Sequence, residues 1–163
     1  LPMAEMESVL RPVFERLKEL GAPLVHYKVC STFDSSPTVG SIGKALDVGA
    51  EVFGGPCVPL VVGAPALGRY VAFGNLFARS GQDSEVFRLD RHPTMSRHPV
   101  TPMHEADLRR VLAEQTTRPV ELVDAPALDS WRAGGVSPPS AACMQARSPR
   151  RAHAPHPQLV VRD

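Results

Sequence analysis

Apolar positions recur with clear periods as far as Asp124 and lose any period after it. Between Met3 and Leu20, the residues Met6, Val9, Leu10, Val13, Phe14, Leu17 and Leu20 fall on one broad helical face. Gly21 is a suitable stop, and Pro12 predicts either a kink or the first turn of a second segment. Leu24 to Val29 reads as a short buried strand. Ile42, Leu46, Val48, Val52 and Phe53 predict a second helix, ended by Gly54-Gly55-Pro56. Val58 to Val62 is an apolar, β-branched run of the kind found in buried parallel strands. Strand, helix and strand make a βαβ unit with a right-handed crossover. Tyr70–Phe73 and Asn75–Ala78 suggest a hairpin or a bent strand pair. Thr101-Pro102 reads as the N-cap and first position of a helix whose buried side is Leu108, Val111 and Leu112. Pro119 to Val123 suggests one more strand. The expected class is α/β, three-layered, with a mostly parallel sheet, an incomplete doubly wound domain and an antiparallel edge at 70–78.

The pattern divides the chain into residues 1–124 and a tail, 125–163. The tail contains no Lys and no Glu and is rich in Pro, Ala, Ser and Arg, as in Arg147-Ser-Pro-Arg-Arg-Ala-His-Ala-Pro. This composition predicts a disordered segment, and a frameshifted reading of a GC-rich gene would produce it. Composition otherwise changes little. The 163 residues are 43% hydrophobic with a net charge of +1, enough for one core and without a global field favouring nucleic acid or a membrane surface. The tail has no aromatic residue beyond Trp131 on which a base could stack. No apolar run reaches the length of a membrane helix, and no signal peptide is evident. Three widely spaced cysteines, Cys30, Cys57 and Cys143, with no metal-ligand spacing, are read as reduced thiols in a cytoplasmic protein.

Two polar centres interrupt the apolar pattern. The first follows the predicted strand at Lys28 and runs through Ser31, Thr32, Asp34 and Ser35 to Gly40, Ser41 and Gly43 at a helix start. Free N–H groups at a helix N-terminus, with a cation, hydroxyls and a carboxylate at a strand end, suit an anionic ligand. Ser, Asp and Pro also make ordinary turns and caps, and by spacing alone that is the commoner use. The second centre, Asp90 to Pro102, carries two Arg-His pairs, Arg91-His92 and Arg97-His98, broken by prolines. The pairs suggest anion recognition; hydrogen bonding within an ordered loop is the simpler role for the histidines. A proline-broken loop is a poor metal site, and no metal is expected. Arg69, after the Gly63–Gly68 loop, could grip a carboxylate.

The stretch Tyr27-Lys-Val-Cys-Ser-Thr-Phe-Asp-Ser-Ser-Pro37, followed by Gly40-Ser-Ile-Gly-Lys-Ala-Leu-Asp-Val-Gly49, resembles the N-terminal domain of the four-carbon acid sugar kinases, a family also labelled Hrp-dependent outer protein. Residues 61–78, 88–103 and 105–115 continue the resemblance in order, and it covers about Leu10 to Asp124. The resemblance implies an ATP-dependent kinase that phosphorylates a hydroxyl of a sugar acid such as a threonate, erythronate or 3-oxo-tetronate. In the family, the N-terminal domain holds the sugar acid and a second domain holds ATP and Mg2+. Carried onto this chain, Lys28, Ser31, Thr32, Asp34 and Ser35 are substrate-pocket candidates, Gly40, Ser41 and Gly43 are backbone donors, and Arg69, Arg91 and Arg97 are carboxylate candidates. No general base is assigned.

The family's Asp-Asp-Phe/Leu-Thr-Gly signature is absent from Leu1 to Pro23, and no GxxxxGK[ST] or GxGxxG stretch occurs. The expectation is therefore a fragment that binds a small-molecule sugar acid, binds neither ATP nor Mg2+, and is inactive alone. The alternative is a non-catalytic remnant that binds sugar acid weakly. An unpaired sheet edge would also favour self-association.

Overall fold

The structure, a computed structural model, describes residues 1–55, 57–81 and 84–133 and the backbone of Gln158–Arg162, with Trp131 described by its backbone alone. Helix α1 (Met3–Glu19) keeps Pro12 within it, on the solvent side. It buries Met6 and Phe14, with Leu10 and Leu17 half-buried. Val9, Val13 and Leu20 of the predicted face are exposed. Helix α2 (Ile42–Phe53) runs parallel to α1. Glu7 meets Lys44 at 2.6 Å, Arg11 pairs with Glu51, and Lys18 Nζ donates to the Val52 carbonyl at 2.6 Å. Phe14, Val48 and Val52 form the apolar seam between the two helices. The N-terminus is strapped to the start of α2: Met3 N–H donates to Thr38 O at 2.7 Å and Gly40 N–H to Leu1 O at 2.9 Å.

Leu24–Val29 does not form the expected strand. Residues 24–30 lie outside any helix or strand, and none of their N–H groups has a backbone partner among the described residues. The expected parallel neighbour, β1 (Cys57–Leu60), pairs instead with β6 (Gln158–Arg162), which also pairs with β5 (Val120–Val123), giving the order β1-β6-β5. An apolar cleft of about 520 Å³ lies between 22–29 and β1, floored by Ile42, Leu46 and Phe53 of α2. Every strand ladder among the described residues is antiparallel, so the class is mixed helix and strand with small antiparallel sheets, not the expected three-layer parallel arrangement. The cause is in the chain itself: an apolar run encodes burial but does not name its partner.

The hairpin at 70–78 is present. β2 (Arg69–Ala72) and β3 (Asn75–Arg79) are joined by Phe73-Gly74, both at positive φ (50° and 83°), as a two-residue type I′ turn requires. β4 (Val86–Arg88) completes that sheet. Helix α3 (Leu108–Ala113) begins later than expected. Asp107, not Thr101, is its N-cap, accepting from Arg109 N–H at 3.0 Å. Thr101 is diverted because its N–H and hydroxyl both lie 3.0 Å from His98 Nδ1.

The core gathers Phe33, Leu76, Leu89, Leu108 and Leu112, all fully buried. Helix α4 (Ala125–Arg132) and β6 fall inside the segment expected to be disordered; Asp124 Oδ1 caps α4 through Ala127 N–H at 3.0 Å. The rest of that expectation, 134–157, lies outside the described residues. Cys30 is a free, exposed thiol, whereas Cys57 is disulfide-bonded, against the expectation of reduced thiols.

Candidate functional site

The first polar centre is built on one buried aromatic. Phe33 is fully buried in the core and adopts φ 55°, a region that β-carbon-bearing residues rarely enter. Its N–H closes a turn onto Cys30 O at 3.0 Å. Core burial holds this strained residue in place and leaves its polar neighbours in a compact network around it. Thr32 Oγ1 donates to Asp34 Oδ1 at 3.1 Å and lies 3.2 Å from Cys30 Sγ. Ser35 Oγ donates to Phe33 O at 3.0 Å. Ser31 and Asp34 are half-buried, and Lys28 is exposed.

The start of α2 joins this loop through a residue that sequence reasoning missed. Gln115 Nε2 donates to Ser35 Oγ at 2.9 Å, while its Oε1 accepts from Ser41 Oγ at 3.3 Å and from Gly43 N–H at 3.2 Å. Ser41 is the N-cap, its hydroxyl accepting from Lys44 N–H at 3.0 Å. The N–H groups of Gly40, Gly43 and Lys44 are therefore all engaged within the protein. Gly40 itself turns the chain at φ 59°. Only the family-block match at 105–115 pointed toward Gln115; nothing in its spacing did.

The three arginines do not join the network. Arg69 turns one arm of its guanidinium to backbone: Nη1 donates to Leu67 O, Gly68 O and Arg79 O at 2.9, 3.2 and 3.1 Å, while its Nε is buried with no partner among the described residues. Arg91 and Arg97 are exposed at the ends of two short 3-10 turns. Among the described residues no hydrogen bond or ion pair links any of them to the 28–43 segment. The two histidines act as turn braces. His92 Nδ1 accepts from Thr94 N–H and Met95 N–H, both at 3.2 Å, just as His98 Nδ1 accepts from Thr101 N–H. An acceptor Nδ1 places the ring proton on Nε2 in each.

The acids with lowered pKa lie outside the loop. Arg88 holds the Asp90 carboxyl below its usual range, and Arg109 does the same for Asp107. Glu105 is lowered chiefly by the Asp107 N–H. Among the described residues no three His, Cys, Asp or Glu side chains are grouped so as to hold a metal ion. No described helix is long and apolar enough to cross a membrane.

A family profile described as a sugar-binding N-terminal domain matches residues 1–163. The 3-oxo-isoapionate kinase of Paraburkholderia graminis is 60% identical over 121 residues, covering 74% of this chain and 25% of that protein. The 3-oxo-tetronate kinase of Methylobacterium radiotolerans is 42% identical over 109 residues, covering 66% of this chain and 24% of that one. A crystal structure of a Haemophilus influenzae protein of the DUF1537 family superimposes with a TM-score of 0.57 at 29% identity, covering 72% of this chain and 27% of that chain. The chain thus spans about a quarter of the length of these relatives. On the match of its full length, the chain belongs to the sugar-binding N-terminal domain family.

Proposed function

We propose that this chain supplies the sugar-acid-binding part of an ATP-dependent kinase that phosphorylates a hydroxyl of a small 3-oxo sugar acid, and that alone it binds the acid without turning it over. The names of its relatives favour an acid of the 3-oxo-isoapionate or 3-oxo-tetronate type. A cytoplasmic setting goes with an ATP-dependent kinase, and the disulfide at Cys57 stands against it. The observation that carries the reading is the loop around Phe33, where an exposed cation, two hydroxyls and a carboxylate lie within seven consecutive positions of a sugar-binding family member.

In this reading Lys28 meets the ligand carboxylate, the Ser31 hydroxyl donates to its keto oxygen, Asp34 accepts from its hydroxyls, and Thr32 acts from behind Asp34. Asp34 accepts from Thr32, which orients the threonine hydroxyl. Ser35, Gly40, Ser41 and Gly43 shape the pocket, because their polar atoms are committed within the protein. Arg69, Arg91 and Arg97 would act only from its margin. In phosphoryl transfer the binding half contributes position, holding the accepting hydroxyl in place for attack. In this reading Mg-ATP is held by another part of the kinase, since the first-turn donors of α2 at Gly43 and Lys44 are bonded within the protein.

A thermal-shift titration with 3-oxo and reduced sugar acids, with and without Mg-ATP, tests the proposal. Ligand at a hundred times its Kd stabilises a folded chain by about 2.7 kcal/mol. A shift with one sugar acid and none with Mg-ATP is expected. ATP turnover by the purified chain would refute the inactivity, and no shift with any acid would refute the binding role.

A further inference from the structure

We infer that Gln115 is a positioning residue that sets the Ser31–Ser35 loop against the first turn of α2, and so fixes the geometry in which the sugar acid is gripped. The inference rests on the sugar-acid reading of that loop.

A primary amide is suited to this place because it offers a donor and an acceptor on one planar group. Its N–H reaches Ser35 Oγ, whose own proton is given to Phe33 O. Its carbonyl takes both the Ser41 hydroxyl and the Gly43 N–H. A carboxylate would face Ser35 with an acceptor where a donor is needed, and an apolar side chain would leave all three partners unmatched. The bonds span 72 to 80 residues of sequence and close the loop, α2 and the end of α3 into one unit.

The backbone beneath the amide is fixed as well. Gln115 N–H donates to Leu112 O at 2.8 Å at the end of α3. Its neighbour Thr116 gives its hydroxyl to Asp47 of α2 at 2.6 Å, and Arg118 Nε reaches the same oxygen at 3.1 Å. Gly43 lets this stretch approach: a β-carbon there would stand 2.6 Å from the Gln115 carbonyl carbon. The amide thus projects from a clamped backbone toward a strained loop, and small changes at its tip pass directly to Ser35 and then to Asp34 and Thr32.

Gln115→Met keeps length and volume and removes the three hydrogen bonds. Leu128→Ala, in the separate cluster with Cys57 and Val123, is the control for a loss of stability alone. Each is made in the full chain, and sugar-acid affinity is measured by calorimetry well below the melting temperature, with amide exchange at Gly43 followed by NMR. Gln115→Met is expected to bind about tenfold or more weaker, the equivalent of about one lost hydrogen bond to a charged group, and to lose Gly43 protection. Leu128→Ala is expected to melt lower and bind as the wild type does. Wild-type affinity in Gln115→Met, or an equal loss in both variants, overturns the inference while leaving the binding role standing. A wild-type chain that binds no sugar acid overturns both.

Discussion

Two glycines of one helix predict opposite responses to the same substitution. At Gly43 an added β-carbon would stand 2.6 Å from both the carbonyl carbon and the β-carbon of Gln115, and 2.7 Å from its carbonyl oxygen. Two of those are backbone atoms, so no rotamer change relieves the contact, and α2 must part from the end of α3. Overpacking of this kind costs about 1–3 kcal/mol. Loss of the Gly43 N–H bond to Gln115 adds about 1 kcal/mol. Replacing a helical glycine by alanine returns about 0.5–1 kcal/mol. The net expectation for Gly43→Ala is a loss of about 1–3 kcal/mol, or a melting point lowered by roughly 3–10 °C for a domain of this size. At Gly49 the new methyl would meet only Phe14 Cε2 at 3.6 Å, an ordinary contact. Gly49→Ala should therefore gain about 0.5–1 kcal/mol. Urea denaturation followed by circular dichroism measures both. If Gly43→Ala proves as stable as Gly49→Ala, the close crossing of α2 by Gln115 is not the constraint argued here, and the positioning role of Gln115 weakens with it.

Other expectations concern packing, charge and association. Leu76→Ala removes a fully buried side chain from the main cluster and should cost about 2–5 kcal/mol, a large share of a small domain's stability, measured by the same urea melts. The Glu7 carboxyl is held down to about 2, first by its bond to Lys44 and then by Arg11, against 4.5 unperturbed. A depressed acid stabilises above its unfolded pKa and loses that contribution as pH falls toward the folded value. Between pH 4.5 and 2 the wild type should therefore lose stability more steeply than Glu7→Gln, and superimposable acid limbs would refute the ion pair. The exposed apolar side chains of the 24–30 segment, Leu24 and Tyr27, should drive concentration-dependent self-association in sedimentation velocity. Tyr27→Lys is expected to suppress it.

What the sequence made legible follows from the range of the interactions involved. α1 and α2 were readable because their apolar period is local, and the 70–78 hairpin because Gly74 parts two short apolar runs, whereas the positive φ of Phe73 was not legible. The start of α3 was misplaced for the opposite reason. Thr101-Pro102 is a sound local cap signal, but His98 captures the threonine first, and Asp107 takes the role. The strand at 24–29 failed on pairing: β1 pairs with β6, nearly a hundred positions beyond it, and an apolar cleft parts β1 from 22–29. Lys28, Ser31, Thr32, Asp34 and Ser35 could be found as a cluster, yet their division into outward-facing and internally bonded groups depends on Phe33 being buried at positive φ.

The same logic bears on which residues of this chain can touch a ligand at all. An anion was expected at the N-terminus of α2 because helix starts leave N–H groups free. Here Ser41 and Gln115 take those of Lys44 and Gly43, and Leu1 takes that of Gly40. A ligand at the Gly40, Gly43 or Lys44 N–H would have to displace a protein acceptor, which gains little. In the proposed reading, affinity for a sugar acid then comes from groups whose bonding capacity is not used up: the Lys28 ammonium, the Ser31 hydroxyl and the second oxygen of Asp34. Substitutions at these three should weaken binding with little change in melting point. Ser41→Ala should cost about 1 kcal/mol of stability as a lost cap, beyond any effect on affinity passed through Gln115. Equal effects on affinity and stability at all four positions would mean that the loop is a fold element only, and that the sugar acid is held elsewhere.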